Sequence, residues 1–434
     1  MQIGATCVPR KWWGPVLATV GRKPYRHNKE VLAKHQHWRE REKSVGRTDH
    51  RFSNMSGIAV AQAKASAAAE AAADIARQLP SDGLAMVLVF LSPYYDPHEF
   101  IAEMAGFLGS TPVFGCTTAG ELAPDGWGDN SVVALGFGAE DFSIVARPLP
   151  DLSNFRVEDG RRIGTELRHE SARGSPEAVG QNSFGLLLID GLCRREEAVM
   201  SAIYASLDNI PVVGGSAGDG LRFEKTWVFY DGEAHSDAAI LIILKTALPF
   251  RLFKCDNFEP TTTKMVVTEA DVERRVVKEI NAEPAAEEYS RAVGIMDTKL
   301  DAFSFASHPV LVRVGGAYYA RSIQQMNPDG SLSFFCAIDE GMVLTAAQPR
   351  NPIGAMHDLF AETRDEIGDV SIYIGFECVL RRLDAEQHQF ARDMSELYQT
   401  NNVVGFHTYG EQYRSMHVNQ TLTGVAIGKR PQPS

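Results

Sequence analysis

Twelve histidines and six cysteines are the residues with which this chain could hold a cofactor, bind a metal or attack a substrate. The cysteines, Cys7, Cys116, Cys193, Cys255, Cys336 and Cys378, are scattered and form no C-x-x-C pair. That spacing argues against a structural zinc site, c-type haem attachment or a disulfide frame, and it suits a reducing cytoplasm. Cys116 and Cys193 each stand just beyond an expected strand. A thiol nucleophile there would need a base beside it, which spacing alone does not supply, and a small buried cysteine is the commoner reading. Among the histidines, His98 and His388 fall at helix starts, His357 in a helix, and His308 before Pro309 at the opening of a strand. His407 lies in a turn and His417 opens a strand. His235, in Gly232-Glu-Ala-His-Ser-Asp237, stands where a hairpin passes into a wholly apolar strand. At the rim of such a sheet an imidazole could point into an apolar cavity, although a lone histidine is more often a satisfied polar residue.

Glycine-rich turns are the other chemical candidates. Gly115 to Gly120 and Gly214 to Gly218 follow strands, as phosphate loops do. Neither is G-x-x-x-x-G-K-[ST], and neither is G-x-G-x-x-G opening a long helix. Each is followed by an acid, Glu121 or Asp219, that would repel phosphate. We therefore read them as tight turns where backbones approach closely. Nothing resembles a hydrolase elbow, a metalloprotease helix or a kinase signature.

These residues sit in a unit that recurs three times. Its central copy has the apolar run Phe184 to Asp190, a helical spacing over Glu196 to Leu207, the strand Pro211 to Gly214 and the turn ending at Asp219. A hairpin follows, Trp227 to Tyr230 and then Ala234 to Leu244. Upstream, Leu84 to Leu91 is a strand, Asp96-Pro97 an N-cap with proline at N1, and Pro112 to Glu121 the strand and turn. Downstream, Val370 to Phe376 is a strand, Asp384 with Gln387 suggests a capping box, and Val403 to Glu411 closes the copy. The recurrence predicts repeated βαβ-like architecture separated by long, dissimilar insertions. Ile58 to Leu79 is alanine-rich and predicts a helix. Thr246 to Gly368 has different patterning, with an antiparallel meander turning at Asn327-Pro-Asp-Gly330 and a helix over Ile353 to Ile367. The fold class expected is α/β or α+β with mixed sheets, in two halves.

The chain has 434 residues, enough for two domains with ample cores. Residues 1–54 hold 12 Lys/Arg against 4 Asp/Glu, leaving 31 against 51 in the rest. An acidic body argues against nucleic-acid binding across its surface. The basic head has no helical or strand periodicity and reads as a disordered extension, with Met55 an equally good start. No apolar run approaches the ~20 residues that span a bilayer, so a soluble, cytoplasmic protein without membrane contact is expected.

Gly115-Cys-Thr-Thr-Ala-Gly-Glu121, Val213-Gly-Gly-Ser-Ala-Gly-Asp219 and Ser236-Asp237 before an apolar strand resemble the N-terminal FIST sensory domain. Ile280 to Tyr289, Ala337-Ile-Asp-Glu-Gly341 and Gly405 to Glu411 resemble the FIST C-terminal domain. The resemblance runs from about Leu84 to Gly428 and implies a FIST N domain over 55–260 and a FIST C domain over 261–434. It implies an intracellular bacterial sensor that binds a small ligand and signals to a partner, and no enzyme. His235 in Ala-His-Ser-Asp and His417-Val-Asn-Gln-Thr-Leu-Thr-Gly424 are similar to the nitric-oxide-sensing (NosP) subgroup. That likeness implies haem b with His235 on the iron, and His417, His308 and Cys255 as further candidates for the haem face. Nitric oxide would be the signal. The partner would be a histidine kinase or a cyclic-di-GMP cyclase or phosphodiesterase, with a homodimer allowed. The alternatives are a haem-free FIST sensor of a metabolite such as an amino acid, with Glu121, Asp219 and Glu411 near a cleft, and, more weakly, an enzyme built on Cys116.

Overall fold

In the computed structural model, residues 57–173, 182–296 and 300–430 are described. The basic head lies outside the described residues. Three six-stranded mixed sheets and one eight-stranded sheet make up the body, an α+β arrangement.

The three six-stranded sheets are one design repeated. In the first, Leu84–Leu91 runs parallel to Val113–Thr117, with a helix, Pro97–Leu108, as the crossover. Asp96 caps that helix as expected, accepting hydrogen bonds from the backbone N–H of His98 and Glu99. Val132–Gly138 lies antiparallel on the other side of Leu84–Leu91, and Ile58–Ala63 forms the edge. The second sheet repeats this with Ser183–Ile189, Val212–Ser216, Ala238–Thr246 and Phe142–Pro150. The third uses Val370–Cys378, Val403–Thr408, Thr421–Gly428 and Phe250–Asp256. In each parallel pair one glycine faces a carbonyl across the ladder. A Cβ on Gly115, Gly214 or Gly405 would lie 2.0, 1.8 or 1.8 Å from the carbonyl oxygen of Val89, Leu187 or Gly375. The backbones meet too closely for any side chain, which is why glycine recurs there.

Each sheet is completed by a hairpin from another copy. The hairpin Glu121–Ala123/Gly126–Gly128 leaves the first unit and pairs with Val403–Thr408 of the third. Val228–Tyr230/Glu233–His235 leaves the second and pairs with Val113–Thr117 of the first. Glu411–Tyr413/Met416–Val418 leaves the third and pairs with Val212–Ser216 of the second. The exchange closes a ring.

Strand alternation then sorts the side chains. One face of each six-stranded sheet points into a shared core containing Phe90, Leu188, Phe376 and Phe406. The ring centroids of Phe90 and Phe406 are 4.7 Å apart. The other faces are covered by helices: Ala68–Gln78 and Pro97–Leu108 on the first, Val157–Ser171 and Glu196–Tyr204 on the second, Pro352–Ile367 and Ala391–Thr400 on the third. The eight-stranded sheet, from Phe258–Asp271 to Val343–Pro349, has its own core around Tyr289, Phe305 and Leu344.

Several expectations change: His407 lies within the strand Val403–Thr408 instead of a turn, and His388 caps the end of the Val379–Gln387 helix instead of starting one. Residues 58–63 are a strand rather than the start of a long helix. Alanine's helix propensity is a weak bias, and pairing along Val132–Gly138, with Ile58 opposite Phe137, outweighs it. The central unit's helix stops at Tyr204 instead of reaching Leu207. The strand expected over 234–244 is split, because Glu233–His235 closes the exchanged hairpin and the chain then enters a different sheet at Ala238. Helix Val379–Gln387 begins ahead of Asp384, so no capping box forms there. Asp384 instead accepts a hydrogen bond from Ser307 Oγ at 2.8 Å. The Asn327 to Gly330 turn and the helix after Asn351 match the reading. Among the described residues, no helix is long and apolar enough to cross a membrane.

Candidate functional site

Because the three sheets share one register, they can be compared position by position. Two residues past the tight glycine, at the carboxyl ends of the parallel strands, the facing pair is Leu91 and Thr117 in the first sheet. It is Ile189 and Ser216 in the second and Glu377 and His407 in the third. Leu91 and Ile189 are fully buried in the helix-side cores. Glu377 and His407 are equally buried, at 0% exposure each. A carboxylate and an imidazole thus occupy places that the sister sheets fill with aliphatic or small hydroxyl side chains. Burying them is costly unless they do something or are well paired.

They are partly paired. Tyr398 Oη donates to Glu377 Oε1 at 2.6 Å, and Arg381 Nε donates to the same oxygen at 3.1 Å. His407 Nδ1 lies 3.5 Å from Glu377 Oε2. Arg381 Nη1 donates to Asn257 Oδ1. The exchanged hairpin closes the site from the first unit, with the Trp127 ring edge-on to His407 at 5.0 Å and to Tyr398 at 5.9 Å. Beside it Arg382 grips Asp129 through two hydrogen bonds of 2.8 and 2.6 Å. Burial pushes the Glu377 carboxyl up, with Arg381 and Tyr398 acting against it. Burial, then the nearby Arg382 and Arg381 cations, hold His407 well below its usual range, so its imidazole is neutral. A narrow pocket with room for about one water opens beside Arg381, Asn257, Asp384 and Gln420, under Phe390 and Met394. Arg381 Nη2 and Gln420 Oε1, both on buried residues, have no hydrogen-bond partner among the described residues.

The residues singled out from sequence are placed elsewhere, in four different elements. His235 ends the exchanged hairpin of the first sheet. Its ring is half-buried and stacked on Tyr230, 3.8 Å between centroids, with Nε2 3.3 Å from the Tyr230 carbonyl oxygen. His417 is buried at the edge of the second sheet, its Nδ1 3.2 Å from Gln412 Nε2. Burial pushes it down to about 4, against the pull of Glu197. Around it lie Arg321 and the buried ion pair from Arg275 to Glu196, 2.7 Å. His308 folds back on its own helix, Nδ1 3.0 Å from the Ser304 carbonyl oxygen. Cys255 is buried in the third sheet's outer core, and burial raises its thiol. Among the described residues, no hydrogen bond or ring contact joins any two of these four. They therefore do not form one cluster, and of the four His235 alone stands at the end of an exchanged hairpin with a half-buried ring.

The three repeated acids are closing devices. Glu121 accepts from Thr118 Oγ1 at 2.5 Å and Ser131 Oγ at 2.7 Å. Glu411 accepts from Thr408 Oγ1 and Thr421 Oγ1, both at 2.7 Å. Asp219 accepts from Tyr409 Oη and from the N–H groups of Phe223, Glu224 and Lys225. Cys116 is buried, and burial pushes its thiol well above the usual range, away from the thiolate a nucleophile needs. Glu377, Arg381, Asn257 and Tyr398 drew no attention in the sequence. The available signal was internal: Glu377 is the one charged residue of Val370–Cys378, at a position its sister strands keep aliphatic.

Comparison with known proteins agrees with this organisation. The FIST N domain model matches residues 85–283 and the FIST C domain model residues 285–414. An uncharacterized protein of the archaeon Methanocaldococcus jannaschii is 22% identical over 382 residues, covering 79% of this chain and 73% of its own. With both domain models matched in order across most of the body, the chain belongs to the FIST family, whose domains are in general sensory modules of signal transduction.

Proposed function

We propose that this protein is a signal-transduction sensor that reads a small polar metabolite, such as an amino acid, at the carboxyl ends of the third sheet's strands. One observation carries the reading. Of three sheets built alike, only the third places a carboxylate and an imidazole, Glu377 and His407, at this facing pair, beside a pocket lined by Arg381 and Gln420. Ligands of open α/β sheets bind outside the carboxyl ends of parallel strands, which is where this cluster lies. The hairpin carrying Trp127 continues from the first sheet's Val113–Thr117 strand, so occupancy at the third sheet has a covalent path to the first. A ligand that favours one position of this hairpin would shift a pre-existing equilibrium, which a separate partner chain would read.

The test is a titration of the full chain with a panel of free amino acids, read by calorimetry and by hydrogen exchange. A binder should slow exchange in Ala391–Thr400 and in residues 121–128, and Arg381→Gln should weaken it. A binder whose affinity is unchanged in Arg381→Gln and His407→Gln would place the sensing site elsewhere.

A rival proposal keeps haem b, nitric oxide and a histidine kinase or cyclic-di-GMP enzyme as the output. It rests on His235, whose half-buried ring lies at a hairpin end. Its test is the absorption spectrum after adding hemin. A stoichiometric Soret band that shifts with nitric oxide and disappears in His235→Ala would favour it over the metabolite reading.

A further inference from the structure

The exchanged hairpins can be compared in the same way as the strand ends. The middle residue of each faces the tight glycine of the sheet it joins: Leu122 opposite Gly405, Phe229 opposite Gly115 and Gln412 opposite Gly214. Across its own hairpin that residue pairs with Trp127, Ala234 or His417. Two hairpins therefore cover their sheets with hydrophobic side chains. The one on the second sheet covers it with an amide and an imidazole, 0% and 2% exposed. Such burial is costly unless something pairs with these groups.

Pairing is incomplete. Gln412 Oε1, His417 Nε2, Asn419 Oδ1 and Arg321 Nε are buried and have no hydrogen-bond partner among the described residues. The four side chains are neighbours. Gln412 Nε2 lies 3.2 Å from His417 Nδ1, and a Cβ on Gly410 would come within 2.7 Å of His417 Nε2 and 3.0 Å of Asn419 Nδ2. Arg321 ends the strand Ala317–Arg321 of the eight-stranded sheet, which packs on Met416–Val418. Arg321 is 7% exposed, and its guanidinium makes one long hydrogen bond, Nη1 to the Ala320 carbonyl oxygen at 3.5 Å. The carboxylates on this side are already taken. Glu196 and Glu197 hold Arg275, and the second oxygen of Glu197 accepts the Ala337 N–H. Burial pushes the Cys336 thiol beside Arg321 up to about 11, so it carries no charge either. Among the described residues Arg321 is a buried cation without a counter-ion, and that calls for an anion.

The amide and the imidazole say what else the partner carries. As it stands, Gln412 Nε2 donates to Ser216 Oγ and His417 Nδ1, which leaves an open carbonyl and an open ring N–H. Turning the amide over leaves an open amide N–H and an open ring lone pair instead. Either way the pair shows one donor and one acceptor, and Asn419 Oδ1 adds an acceptor. A bare anion would answer Arg321 and leave the acceptors unpaired. An acid with a hydrogen-bond donor on the neighbouring carbon answers both. The place suits a ligand, since Ser216 is the carboxyl end of Val212–Ser216, and Glu197 near His417 keeps 27% exposure. We propose that this cluster, separate from the one at the third sheet, binds a small amino or hydroxy acid. Its carboxylate lies on Arg321, and its ammonium or hydroxyl group donates to the open acceptors of the Gln412–His417 pair and Asn419.

Glycine and glycolate are the probes, titrated into the full chain by calorimetry with acetate and sodium chloride as controls. Saturable binding of at least one probe is expected, with acetate weaker by about tenfold or more because it has no donor. Arg321→Gln should weaken the probe by about tenfold or more, as for loss of a charged hydrogen bond. Gln412→Leu should bring the probe down to the level of acetate. That variant installs the residue that the hairpin on the third sheet carries at the same position, so it decides the matter even if Arg321→Gln fails to fold. No saturable response to either probe, as a cluster filled by water only would give, overturns the inference. So does binding no tighter than acetate, or binding unmoved in both variants. Binding that is lost in Arg381→Gln and kept in Arg321→Gln overturns it too, and leaves the third-sheet reading in place.

Discussion

Glu121 and Glu411 hold the same place in two of the three exchanged hairpins. Each begins its hairpin, takes a hydrogen bond on Oε1 from the threonine three residues earlier, and takes two on Oε2 from the residue that leads or opens the next long strand. Each thereby ties the turn, the hairpin and the following strand of its own unit together. In the second unit Val228 holds this register position, and Asp219 closes the longer turn before it.

The pH dependence of folding follows from this pair. Burial pushes Glu121 up to about 7 and Glu411 to about 8 from an ordinary 4.5, against the pull of their hydrogen bonds. The folded state holds these protons more tightly than the unfolded one. The stability they contribute is full below about 4.5 and is lost as pH rises through about 7 and 8. Urea denaturation across this range should show stability falling, by at most about 3 kcal/mol for Glu121 and about 5 kcal/mol for Glu411. The fall should be smaller in Glu121→Gln/Glu411→Gln. An unchanged slope in that double variant would assign the effect to other groups.

Gly405→Ala is expected to prevent folding or cost more than about 4 kcal/mol, since its Cβ would meet the Gly375 carbonyl oxygen at 1.8 Å, with backbone on both sides. Gly354→Ala, in an open first turn of the 352–367 helix where the nearest atom is 3.6 Å away, should melt within a few degrees of the parent. Comparable melting temperatures for the two would contradict the close-approach argument.

Arg275 bonds both Glu196 and Glu197 inside the protein, at 2.7 and 2.6 Å. Removing it strands a buried carboxylate. Arg275→Met should cost about 3–5 kcal/mol in denaturation, and adding Glu196→Gln should recover part of that. Additive losses in the double variant would mean that the charge pair is not what matters.

The exchanged hairpins make a prediction about the two FIST regions. A chain cut after residue 284 leaves the second sheet without residues 411–418 and the third without residues 121–128. Each fragment alone should show poorly dispersed NMR spectra, and co-expression should restore one folded complex. Two independently folded fragments would show that the hairpins add little.

Much of the fold could be read from the chain itself. The three strand–helix–strand–turn units, the Asp96 cap and the turn at Asn327 to Gly330 are local, set by runs of apolar residues and by residues with special backbone freedom. What the sequence did not carry was which sheet each hairpin joins. Val228–Tyr230 and Glu233–His235 are adjacent in the chain, but their partner Val113–Thr117 lies over a hundred residues away, and no local pattern distinguishes it from Val212–Ser216. The same limit hid the site. His407 stood in the sequence as one histidine in a turn, and Glu377 as one acid near a strand end. Only the shared register showed that they face each other where the sister strands keep Leu91–Thr117 and Ile189–Ser216. Residue types and their spacing determined the units. The choice of partners, and with it the burial that makes Glu377 and His407 unusual, was decided by long-range strand pairing in the folded ring.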